Sequence, residues 1–121
     1  MKAAERAVFT IRQGDDWSRT WTHTSGTATY SGTLLVQIRA GTDSGAVLVA
    51  SSETVDTEAP IDLTGTDLGA GTIAMAVVAA DTVGLDPHGT FTIEAECEVD
   101  GLLTTILSHQ LWVIPQVAVQ P

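Results

Sequence analysis

Three histidines, one cysteine, three tryptophans and fifteen acidic residues are the side chains of this 121-residue sequence with the most chemistry to offer. His23, His88 and His109 lie in three separate segments, without the i, i+2 or i, i+4 spacing that puts two imidazoles on one metal ion. They read as surface or hydrogen-bonded structural residues, and no zinc site is predicted. Asp15 and Asp16, Asp62 and Asp67, and Asp81 and Asp86 offer loop oxygens of the kind calcium takes, but no twelve-residue loop carries the required ligand pattern. Turn and capping roles are expected for these acids.

A nucleophilic Cys97 would need a nearby base and a lowered pKa, yet it alternates in phase with Phe91, Ile93, Ala95 and Val99, the apolar side of its segment. A buried, inert thiol is expected. There is no Gly-x-Ser-x-Gly elbow and no phosphate loop, and the glycine-rich stretch 63–71 neither follows a clear strand nor opens a helix, so it reads as a flexible loop. Glu94, Glu96 and Glu98 share one side of a strand, whereas paired catalytic carboxylates face each other across a cleft. These patterns predict a protein that is not an enzyme and that carries no cofactor.

The tryptophans point elsewhere. Trp17, Arg19, Trp21 and His23 share one side of a segment whose other side is Ser18, Thr20, Thr22 and Thr24. Two roles fit that row: filling a core, or forming the aromatic and arginine surface enriched at protein interfaces and sugar platforms. Trp112 raises the same question beside the uncharged run 113–121. Leaving such a run in water gains little, so the segment 115–121 is expected to pack on a neighbouring subunit or add a strand to it. The contact residues proposed from the sequence are Trp17, Arg19, Trp21, Trp112, Ile114, Val117 and Val119.

The elements that must hold these residues are strands. Residues 90–100 alternate strictly between apolar and polar, Asp100-Gly101 supplies the positive-φ pair of a tight hairpin turn, and apolar residues resume at Leu102. Residues 91–99 are therefore expected to pair antiparallel with 102–114, with a bulge or bend at Ser108, His109 and Gln110. Further strands are predicted over 7–12, 17–24, 34–38, 46–50 and 73–77, with a short edge strand around Ile61 and one helical turn within 79–85. Seven or eight short strands with closely spaced turns predict an all-β fold, a single antiparallel β-sandwich spanning 1–121.

Charge narrows the partners. The net charge is −10, which disfavours nucleic acid and anionic membrane surfaces, since both are bound by clustered cations. The first 39 residues hold all five cations and three acids, a balance of +2, and the rest holds twelve acids and no cation. No signal peptide and no apolar run of roughly 18 residues, the length of a membrane helix, is read from the sequence. The lone cysteine suits a reducing compartment.

Several short pieces recur in a recognisable order: Gln13-Gly14-Asp15-Asp16, then Ser31 to Arg39 ending in Ile38-Arg39, then Asp81-Thr82-Val83-Gly84-Leu85, the strand from Phe91, and Val99-Asp100-Gly101. This order resembles the immunoglobulin-like β-sandwich domains of tailed-phage and prophage virions, especially the amino-terminal domain of upper baseplate proteins and related tail-fibre or adaptor modules. The resemblance implies a non-catalytic virion protein, made in the bacterial host cytoplasm, that acts through repeated contacts with its own copies and with other virion proteins. A baseplate or tail adaptor, a neck component and a capsid decoration protein all fit. The alternative reading is a carbohydrate-binding or host-adhesion module whose tryptophans stack on a surface glycan.

Overall fold

The long strands form where branched and aromatic residues alternate with polar ones, and glycines with positive φ mark their ends. In the computed structural model, which describes residues 9–22, 28–41, 47–53, 59–87 and 89–115, eight strands lie in two sheets. The larger sheet has the order β1 (Phe9–Arg12), β8 (Leu102–Ile114), β7 (Phe91–Val99), β3 (Tyr30–Ala40), β4 (Val47–Ser51), β5 (Ala59–Pro60). The smaller pairs β2 (Trp17–Thr22) with β6 (Thr72–Val77), and one helical turn, α1 (Ala79–Thr82), follows β6.

The spine is β3–β7–β8, antiparallel throughout. Asp100 and Gly101 take φ of 52° and 82°, as a two-residue turn of this hand requires. The Asp100 carboxylate accepts from the Thr29 amide at 2.9 Å, which pins the turn to the approach of β3. Two pairings depart from the antiparallel pattern: β1 runs parallel to β8, and β5 parallel to β4. Parallel neighbours need a crossover, which the remote positions of β1 and β8 in the chain supply.

The bulge sits before the expected position. Register shifts between Ala95 and Glu96, opposite Leu107 and Thr105, so Ile106 is the extra residue. It exchanges the two faces of β8. Beyond it Leu107, His109, Leu111 and Val113 turn inward, so His109 is a core residue rather than a surface one. The stretch 63–71 is not a loose loop: Thr66 Oγ1 bonds both backbone groups of Ala74, and Asp67 caps a short 3₁₀ turn, Leu68–Ala70.

The core lies between the sheets. Phe9, Ile11, Val36, Ile38, Ile93, Ala95 and Cys97 face Ile73, Met75 and Val77 of β6. No disulfide joins the sheets among the described residues, where Cys97 is a buried free thiol. Side-chain packing and one polar clamp join them instead. Thr82, fully buried, donates its hydroxyl to the Asp15 carbonyl at 2.7 Å and accepts from the Gly14 amide at 3.1 Å. Beside it, the Gln13 amide donates to the Val83 and Leu85 carbonyls at 3.1 Å each, and the Asp16 carboxylate accepts from the Ala79 amide at 2.7 Å.

Replacing Thr82 by valine keeps the volume and takes the partner from a part-buried N–H and C=O. It should cost about 1–3 kcal/mol, read as a lower midpoint in urea with an unchanged slope; a change within 0.3 kcal/mol would refute the clamp.

Candidate functional site

The residues singled out by sequence fall into two groups. β2 pairs with β6 in the register Trp17↔Val77, Arg19↔Met75, Trp21↔Ile73, so the Trp and Arg row shares the core side with the buried β6 residues. The Arg19 guanidinium carbon lies 4.6 Å from the centroid of Phe9, a cation–π contact. The Trp17 ring is 6.3 Å from Phe9, Trp21 meets His109 edge-on at 6.4 Å, and Phe9 and His109 stand 4.7 Å apart. Both indoles pack against the core while remaining half-buried, because β2 lies at the edge of its sheet.

Trp112 and Ile114 form the second group. They alternate outward on β8, opposite Thr10 and Arg12 of β1, with the Trp112 side chain 56% and Ile114 36% exposed. Gln110 and Ser108 continue this row, next to Thr92 and Glu94 on β7. Where β8 meets the turn after α1, Trp112 borders a shallow hollow of about 220 Å³ whose lining includes Pro87, Thr90 and Gln110. This is below the roughly 300–1,000 Å³ typical of pockets for drug-sized ligands. At the far end of β8, Leu102 and Leu103 stand 72% and 71% exposed at the hairpin tip, a feature the sequence reading passed over although two leucines directly after a turn signal it.

Val117, Val119, His23 and His88 lie outside the described residues. The acids serve as turn and cap groups where they are described. Asp62 accepts from the Thr64 hydroxyl at 2.7 Å and amide at 3.0 Å, which holds its carboxyl below the usual range. Asp67 caps the 3₁₀ turn. Among the described residues no three His, Cys, Asp or Glu side chains converge on a point that could hold a metal ion. The Cys97 thiol is pushed up from its usual range by burial and by the neighbouring charge of Glu98, so it stays protonated and unreactive near neutrality.

The sequence matches no protein-family model and no curated protein. Its fold does have relatives among solved structures. Murine CRIg superposes with a TM-score of 0.52 at 10% identity, covering 90% of this chain and 92% of that one. The extracellular domain of the voltage-gated sodium channel beta4 subunit, solved as parallel homodimers, gives 0.51 at 12% identity over 97% and 98% of the two chains. A second sodium channel beta subunit structure gives 0.51 at 12% over 94% and 96%. The fold is thus an immunoglobulin-like β-sandwich, with two strands, β4 and β5, extending the larger sheet beyond β3.

Two measurements check these placements. Trp21→Ala should destabilise the fold by about 2 kcal/mol and Trp112→Ala by less than about 1 kcal/mol; equal losses in urea unfolding would contradict the core assignment of Trp21. Cys97 should resist an aromatic disulfide reagent in the native protein and react fully once unfolded.

Proposed function

We propose that this chain is a non-enzymatic structural protein of a tailed-phage or prophage virion, working through repeated contacts between subunits. One observation carries the contact reading: β8 holds large apolar side chains in water at both ends, Leu102 and Leu103 at its tip and Trp112 and Ile114 on its outer row. A lone exposed apolar residue is ordinary, but two such groups on one strand are the kind of surface that association covers. The virion setting rests on the order of the Gln13-Gly14-Asp15, Asp81-Thr82 and Asp100-Gly101 pieces. In such an assembly a modest interface gains strength from being used many times. Contacts of this kind need neither nucleic acid nor membrane, and other virion proteins would be the remaining partners.

A second reading, a carbohydrate-binding or host-adhesion module, is favoured by the hollow beside Trp112. There an exposed Trp112 shares the lining with Thr90 and Gln110, residue types suited to stacking on a sugar ring and bonding its hydroxyls.

Light scattering on a sizing column separates the two. The full chain should run as an oligomer, and Trp112→Ala, which leaves the core intact, should weaken association by about tenfold or more. A monomer at high concentration whose binding to a glycan array vanishes with Trp112→Ala would establish the adhesion reading instead.

A further inference from the structure

Among the described residues four strands form sheet edges, and three of them are closed to further pairing. β5 is two residues long and contains Pro60, which has no N–H. β1 has only four residues. The outer side of β6 is occupied: Ala76 exchanges both backbone bonds with Asp62 at 2.9 Å, Thr72 does so with Asp67 at 2.9 Å, and Ala74 is held by Thr66 Oγ1.

That occupancy fixes the geometry of β2. Since Thr72, Ala74 and Ala76 aim their backbone groups away from β2, Ile73, Met75 and Val77 aim theirs toward it. Their partners Trp21, Arg19 and Trp17 therefore spend their N–H and C=O groups on β6, and Ser18, Thr20 and Thr22 turn theirs to the outer edge. This edge is six residues long and regular, with no register shift, no proline and no lysine, and the one charge on the strand, Arg19, is held over Phe9 rather than on the outer row. Among the described residues nothing pairs with this edge, and the two indoles on its inner side are only half-buried.

We infer that the Ser18–Thr20–Thr22 edge of β2 accepts residues 116–121 of a neighbouring copy as an added strand. This rests on the subunit-contact reading above and names its acceptor. The segment Gln116-Val117-Ala118-Val119-Gln120-Pro121 has no charge and alternates with period two, and six extended residues span about 20 Å, the length of β2. Its valines would continue the inner face beside Trp17 and Trp21, and its glutamines would join the row of Ser18 and Thr20. Direction favours a neighbour over the same chain. β8 ends beside Arg12, where the Gln13 backbone N–H donates to the Ile114 carbonyl, and it leads off the end of the sandwich at which β2 begins, so pairing within one chain would need a reversal.

The test compares the unaltered chain with Val117→Asp/Val119→Asp, a change outside the described residues, by light scattering and amide hydrogen exchange. The unaltered chain should be assembled, with the Ser18, Thr20 and Thr22 amides exchanging at least about tenfold more slowly than in the double variant, and the β6 amides alike in both. Assembly and β2 exchange unaltered by the double variant would overturn the strand addition while leaving a contact through Trp112 standing. A monomer in both forms would overturn the subunit-contact reading together with it.

Discussion

The hydroxyl of Thr82 is where two distant stretches of chain meet, and the rest of the sandwich depends on that junction. Asp15 and Thr82 are 67 positions apart, yet one buried oxygen bonds both the Gly14 N–H and the Asp15 C=O within the β1–β2 turn. That turn carries the chain from the large sheet to the small one, and α1 carries it back. Locking them together sets how β2 and β6 sit over β1, β8 and β7. Gln13 and Asp16 reinforce the same junction with their own side chains. The clamp is polar because it joins two turns, whose backbone groups have no sheet partners.

Between the sheets, packing does what a disulfide does in many secreted domains of this shape. Among the described residues two strands cover part of a six-stranded sheet. Arg19 is the least expected member of that layer. Its guanidinium carbon stands 4.6 Å from the Phe9 centroid while the residue stays exposed, so the charge keeps its contact with water. A lysine, with a compact and strongly hydrated charge, would serve less well there.

Much of this was legible in residue order. Strict alternation across 91–99 and the Asp100-Gly101 pair located the central hairpin, and Cys97 fell on the buried side its phase required. Alternation alone cannot fix strand direction, so the parallel seat of β1 on β8 was not readable. Nor can it find a bulge: Ser108, His109 and Gln110 looked irregular because His109 is polar, but its ring is buried against Phe9, and the added residue is the apolar Ile106, which leaves no compositional mark. The row Trp17, Arg19, Trp21 was recognisable as one side of a strand. Which way that side faced depended on β6, whose pairing with β2 is long-range. Thr82 read as part of a helical turn because its partners are remote in sequence.

The displaced residue at Ile106 has a consequence for how β8 can vary. Below it the strand answers to the hairpin, and above it to the core, since the exchange of faces falls between Leu107 and Thr105. Lengthening the hairpin by matched pairs of residues would extend the tip and leave every position from Leu107 to Ile114 in phase. The two ends of one strand are therefore free to diverge separately: the tip at Leu102 and Leu103 in reach and composition, the Trp112 row in chemistry alone. A lineage of such domains could remodel one contact while holding the other fixed, with a single out-of-register residue as the partition between them.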